Sequence, residues 1–306
     1  MNLTEWALLV ALSLLWGGSY FFVGLAVREL PTFTIVVARV GIAAVTLHIW
    51  LRVLGQAFPR EWSVLRAFLI MGLANNVVPF CLIVWGQSHV ASSVAAILNA
   101  TTPVFAVIVA HYFAHDERLT SVRVVGVVLG FAGVAVMMGA DAVGALGLQA
   151  GAQVALLGAG LAYSLASVYG RRFAKIGVSP MATATGQVTA SSIVLIPLVA
   201  FVDRPWTLPG PPIDTVLALI GLGVFSTALA YVLYFRILAT AGATNLMLVT
   251  LLIPVSASAL GVAVLGEALQ VQHVLGMALI TGGLLTIDGR LINVLLRRTP
   301  ESESPE

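Results

Sequence analysis

Residues 246–285 read LMLVTLLIPVSASALGVAVLGEALQVQHVLGMALITGGLL. One side chain in this stretch, Glu267, carries a formal charge, and it stands in the short polar patch GEALQVQH between two apolar runs. A hydrocarbon core about 30 Å thick takes about 20 apolar residues in helix. Each run is therefore long enough to cross a bilayer, and the patch marks a turn at one face. The runs are apolar at every position instead of alternating, which argues against the ten-residue alternating strands of a membrane β-barrel.

The same pattern fills the rest of the chain. Ten candidate spans lie at about 5–27, 33–51, 64–87, 90–113, 121–139, 151–170, 180–202, 213–238, 244–264 and 272–292. The composition agrees: of 306 residues, 59% are hydrophobic and 9% charged, with a mean hydropathy of +1.03. A soluble domain carries about 25% charged residues. Nucleic-acid binding, disorder and a disulfide scaffold are thereby excluded. The single cysteine, Cys81, has no intrachain partner and reads as a small core hydrophobe. The 29 glycines suit helices that pack closely in lipid. The first span is not expected to be a cleaved signal peptide, because MNLTE has no basic residue and the apolar run is too long.

Ten spans place twelve basic residues on one side, among them Arg52, Arg60, Arg123, Arg171, Arg172 and Lys175. The other side receives Arg28 and Arg204, and Arg39 falls within the second span. The positive-inside rule then puts both termini in the cytoplasm of a multi-pass protein. The tail RRTPESESPE is polar and expected to be disordered.

The two halves repeat one another. Gly72 precedes Pro103 by 31 residues and Gly223 precedes Pro254 by the same interval. Glu117, Gly126 and Gly133 match Glu267, Gly276 and Gly283 at steps of nine and seven. Asn75 and Asn76 fall opposite Ser226 and Thr227, Ser93 opposite Thr244, and Asn99 opposite Thr250. Residues 1–140 and 141–292 thus form two five-span repeats, followed by a cytoplasmic tail at 293–306. Five is odd, so the second copy enters the membrane from the other side. Inverted repeats are a recurrent design of secondary transporters, with the substrate site near the midplane between the copies. The expected fold is an all-α polytopic membrane protein of ten helices around a central cavity.

Four segments carry a resemblance to a known family: LLWGGSYFFVGLAV (14–27), VVARVGIAA (36–44), AILNATTPVFAVIVAHYFAHDERL (96–119) and LMLVTLLIPVSASALGVAVLGEAL (246–269). The chain resembles the EamA-type carriers of the drug/metabolite transporter superfamily and, more narrowly, the YddG-type amino-acid exporters. The resemblance spans about residues 5–290. It implies a ten-helix inner-membrane protein that exports amino acids or other small metabolites.

Polar groups inside a bilayer are costly and tend to face the bundle interior, so the candidates for substrate contact are few. Trp16, Tyr20, Tyr163, Ser164, Tyr231 and Tyr234 cluster on the first, sixth and eighth spans. They read either as an interfacial belt or as rings and hydroxyls that receive a side chain and its polar head. Asn75, Asn76 and Asn99 are amides that must find partners, across a helix interface or at a cavity wall. Arg39 is a fork for a substrate carboxylate, a structural anchor satisfied by helix-end carbonyls, or a side chain that snorkels; its counterpart Gln187 fits a structural role. Pro79, Pro103 and Pro254 sit within spans and each frees a carbonyl one turn back. They read as hinges, as acceptors for a substrate ammonium, or as static kinks.

All 13 carboxylates fall at span ends, in loops or in the tail. A proton antiporter or an organic-cation pump generally uses an acidic residue in the membrane interior. The expectation is therefore facilitated, uncoupled export of small neutral amino acids, including aromatic or apolar ones, by alternating access. The alternative is a broad-specificity drug or metabolite efflux carrier, for which proton coupling stays open. The five histidines show no HExxH spacing and the chain has no P-loop, so no enzyme, metal or cofactor is expected. The partners are a small-molecule substrate and the lipid bilayer, without nucleic acid. A monomer suffices, because ten spans can enclose a cavity alone.

Overall fold

The structure, a computed structural model, describes residues 2–113, 120–138 and 148–288. Among the described residues there are ten helical spans. We number them α1 (Leu3–Ala26), α2 (Thr32–Val53), α3 (Trp62–Gln87), α4 (Ser92–Phe113), α5 (Ser121–Met138), α6 (Leu148–Lys175), α7 (Pro180–Phe201), α8 (Ile213–Gly242), α9 (Val249–Leu265) and α10 (Val271–Asp288). Eight are long and apolar enough to cross a membrane, and α9 and α10 are shorter apolar helices. No strand occurs among the described residues. The chain is an all-helical, multi-pass membrane protein.

Local chemistry sets the ends. At the start of α1 the Asn2 side chain accepts from the Glu5 N–H and the Asn2 N–H donates to the Glu5 carboxylate, each at 2.8 Å. Two N–H groups that the first turn leaves unpaired are satisfied in this reciprocal way. The helix α6 runs on past the expected boundary at 170 and carries Arg172 and Lys175 in its last turn, where cations meet the negative end of the helix dipole. The ninth span begins at Val249 and not at 244. Gly242, at φ 79° and ψ 167°, breaks the preceding helix just before it, a backbone conformation that a side chain would oppose.

Three spans depart from regular α-helix. Leu73–Val77 in α3, Val199–Asp203 at the end of α7 and Gly221–Leu229 in α8 are π-helical. Each extra residue per turn shifts the side chains that follow onto a new face, and such turns gather at functional sites. In α4 the chain breaks outright: one α-helix ends at Asn99 and the next begins at Thr102.

Packing follows the small residues. A Cβ at Gly126 of α5 would stand 2.7 Å from the Gly283 carbonyl of α10, and one at Gly133 would stand 2.8 Å from the Gly276 carbonyl. Because 126 faces 283 while 133 faces 276, the two helices run antiparallel with their backbones in contact. The α2–α7 pair is antiparallel too. Thr34, at the start of α2, donates its N–H (2.6 Å) and hydroxyl (2.8 Å) to Asp203, which closes the π-helical turn at the end of α7. At the other end Ser179, the N-cap of α7, donates to Gln56 at 3.1 Å. The helix α1 lies along α9, where Gly17 leaves room only for the Ser256 side chain. The largest buried apolar cluster joins α1, α2, α3, α7 and α8 through residues such as Val23, Val40, Val84, Val188 and Leu222.

Glu117, the expected repeat boundary at 140/141 and the tail at 293–306 lie outside the described residues.

Candidate functional site

Halfway along the spans, polar side chains from α3, α7 and α8 meet in one hydrogen-bonded cluster. Asn75 donates to Gln187 Oε1 of α7 at 3.0 Å and to the Tyr231 hydroxyl of α8 at 3.2 Å. That hydroxyl donates in turn to Asn76 Oδ1 at 3.2 Å. Asn76 donates through Nδ2 to Ser191 Oγ at 3.2 Å, and Ser191 lies within reach of the Gly72 and Gln187 carbonyls. Both asparagines stand on the π-helical turn Leu73–Val77 and are joined through the Tyr231 hydroxyl. Asn76 and Gln187 are fully or nearly fully buried, whereas Asn75 and Tyr231 are only partly so.

Arg39 borders this cluster. Its Nε donates to Thr227 Oγ1 at 3.0 Å, and its guanidinium carbon stands 3.7 Å from the centre of the Phe80 ring. Thr227 belongs to the π-helical turn of α8 and donates its own proton five residues back, to the Leu222 carbonyl at 2.8 Å. Among the described residues, helix-end carbonyls are not partners of Arg39. At 5% exposure the side chain does not snorkel either.

The aromatic candidates form a track leading into the centre. Trp16 of α1 lies 5.7 Å from Tyr234, Tyr234 meets Phe235 edge-on at 5.2 Å, and Phe235 stacks with Tyr231 at 6.3 Å. Tyr163 of α6 meets Phe80 edge-on at 6.5 Å. Tyr20 accepts from Asn99 at 2.8 Å through its hydroxyl, and its main-chain carbonyl accepts from Gln87 at 2.9 Å. These rings pack between helices and not on an outer belt.

Other candidates are placed differently. Ser164 is fully buried, with the Gly160 carbonyl at 2.8 Å and the Thr102 carbonyl at 3.0 Å. It ties α6 to the break in α4. Pro103 sits just past that break, and the Asn99 carbonyl it frees is taken by the Thr102 hydroxyl at 2.6 Å. Pro79 opens the regular helix after the π-helical turn, and Pro254 lies within the continuous helix α9. The three prolines are therefore unlike one another in their surroundings.

Sequence reasoning does not select Gln187, Ser191, Thr227, Gln87 and Phe80 as site residues. Gln187 carries a signal, a lone amide in an apolar span. Phe80 carries none, since one ring among 13 phenylalanines is indistinguishable until the chain folds.

The cluster is drawn together and its polar groups largely bond one another. An open pocket of about 340 Å³ lies instead toward one face, lined by Gly24, Arg28, Gln87, Ser88, Ser92 and Glu267 among others. Glu267 bridges to the start of α4 there, accepting from the Ser92 N–H at 2.7 Å and the Ser93 N–H at 3.0 Å. Gln87 lines this pocket and also donates to the Tyr20 main-chain carbonyl. Among the described residues no group of three or more His, Cys, Asp or Glu side chains could hold a metal.

A family model described as "EamA-like transporter family" matches residues 4–139 and again residues 151–287. A relative from Archaeoglobus fulgidus named "Uncharacterized transporter" is 26% identical over 285 residues, covering 92% of this chain and 98% of its own. The "Uncharacterized inner membrane transporter YedA" of Escherichia coli (strain K12) is 28% identical over 265 residues, covering 86% of this chain and 83% of its own. A solved crystal structure superimposes with a TM-score of 0.68 at 19% identity, covering 97% of this chain and 100% of that one. That likeness concerns the fold alone.

Proposed function

Since this chain belongs to the EamA-like transporter family and is a multi-pass membrane transporter and not an enzyme, we propose that it exports small neutral amino acids or related metabolites by alternating access. The observation that carries the reading is the mid-span cluster of Asn75, Asn76, Gln187 and Tyr231, flanked by aromatic rings. Amides and hydroxyls at membrane depth suit the polar head of an amino acid, and the rings suit an apolar or aromatic side chain.

The two halves, 1–140 and 141–292, act in this reading as inverted repeats that rock about the centre. Support comes from the pairing of equivalent helices. The glycine pairs 126/283 and 133/276 exchange with each other under the sequence repeat, and the helices that bear them run antiparallel. A two-fold axis lying in the membrane plane produces that relation; one along the membrane normal would make equivalent helices parallel. The pocket at the Glu267 end is the passage that opens when Glu267 lets go of Ser92 and Ser93. With the positive-inside bias, both termini are cytoplasmic and this passage faces outward. One chain supplies the whole path.

No described carboxylate lies in the interior of a span, so the carrier works by facilitated diffusion or exchange. The test is counterflow in liposomes holding the purified protein, with threonine, methionine and phenylalanine as labelled substrates. Preloaded substrate should accelerate uptake of the labelled one. Accumulation driven by external acid would replace the uncoupled mechanism with a proton-coupled one, and absence of counterflow for all three would remove amino acids as substrates.

A further inference from the structure

Arg39 is the one charged residue that is buried among the described residues. It sits roughly 10 Å along α2 from Thr32, taking the helical rise per residue. A guanidinium stays protonated in proteins, so its charge persists in a low-dielectric interior. An isolated buried charge is expensive unless it is paired.

No described carboxylate is available to pair with it. Asp203 is engaged by Thr34, Glu267 by Ser92 and Ser93, and Glu5 by Asn2, all at helix ends. The partners of the guanidinium are neutral: the Thr227 hydroxyl on Nε and the Phe80 ring over one face. Its two terminal nitrogens have no acceptor among the described residues. Neither belongs to the fully enclosed polar atoms that lack a partner, so each keeps some accessible surface. Tyr163 packs edge-on against that same Phe80 ring, and Tyr231 lies one turn along α8 from Thr227.

This leaves one edge of the guanidinium, the two-nitrogen fork, unused. A carboxylate binds such a fork in its plane through two parallel hydrogen bonds, and a ring stacked on the face does not obstruct it. A phosphate dianion would call for more than one cation, and Arg39 stands alone among tyrosines, a threonine and a phenylalanine. An ammonium would be repelled by the charge.

We infer that Arg39 anchors the substrate's carboxylate and that a free carboxylate is the feature this carrier requires. The inference rests on reading the mid-span cluster as the substrate site. The ammonium of an amino acid would then lie away from Arg39, whose charge repels it. It contributes less than the carboxylate, so 2-hydroxy acids bind as well.

The experiment measures melting of the purified protein with threonine, methionine and phenylalanine, with the 2-hydroxy acid matching each, and with the amide of each. Counterflow in liposomes is run in parallel with the same compounds as competitors. Acids should raise the melting temperature and compete, and amides should do so at least tenfold more weakly. Arg39→Gln should abolish the preference for acid over amide. Arg39→Lys, which keeps the charge without the fork, should retain it at an affinity at least tenfold lower. Amides acting as well as acids would overturn the inference, as would acids of the panel producing no shift in wild type. An acid preference that survives in Arg39→Gln would do the same. If that variant does not fold, the wild-type comparison of acid with amide still decides. Acids that act through Arg39 without counterflow of any amino acid would keep the anchor and reject amino-acid export. Counterflow of amino acids and their amides alike would reject the anchor and keep export.

Discussion

Tyr231 serves two asparagines with one hydroxyl, accepting from Asn75 and donating to Asn76. Removing it as Tyr231→Phe leaves Asn76 Oδ1 without its donor. A buried polar group stripped of a partner costs about 1–3 kcal/mol. The variant should melt earlier in detergent and transport more slowly, and equality with wild type in both measurements would show that this hydroxyl does neither job. Glu267 is a second case. Its carboxylate accepts from two main-chain N–H groups at the start of α4, and hydrogen bonds to a charged acceptor are worth about 1.5–3 kcal/mol. Glu267→Gln keeps the size but weakens the clamp, so denaturant unfolding should show a loss in that range. Counterflow should also change, because the passage at that end is held less firmly; an unchanged rate with lowered stability would make Glu267 a structural residue only.

At the scale of elements, glycine spacing does opposite things at different sites. A leucine at Gly133 would drive its Cβ to 2.8 Å from the Gly276 carbonyl and 2.9 Å from Ile280, forcing α5 and α10 apart. Gly133→Leu should therefore lower the melting temperature sharply and reduce the folded yield. At Gly41 of α2 an added Cβ would meet nothing within 4 Å, and a helical Gly→Ala change there should add about 0.5–1 kcal/mol. A melting curve for each variant separates the two outcomes. The spans themselves are legible from hydropathy, because lipid demands long apolar helices whatever their packing. The π-helical turns are not. LANNV and GLGVFSTAL contain nothing that announces an extra residue per turn, since such a turn is a compromise struck by neighbouring helices.

For the molecule as a whole, the reading as inverted repeats predicts where equivalent positions lie. Thr120 and Gln270 correspond across the repeat and both are exposed. In a Cys81→Ser background, single cysteines placed at each should label with an impermeant reagent from opposite sides of sealed vesicles. Labelling from the same side would remove the inversion and the rocking mechanism with it. Much of this protein follows from the chain alone: ten apolar helices, the absence of acidic groups from their interiors, and the matched glycines and prolines. These are one-dimensional properties, fixed by what a bilayer tolerates. Which polar residues meet was decided only in three dimensions. Asn75 lies 112 residues from Gln187 and 156 from Tyr231, and Arg39 lies 188 from Thr227. Hydrogen bonds across such separations depend on helix rotation and register, which the apolar majority of contacts sets and no local pattern encodes.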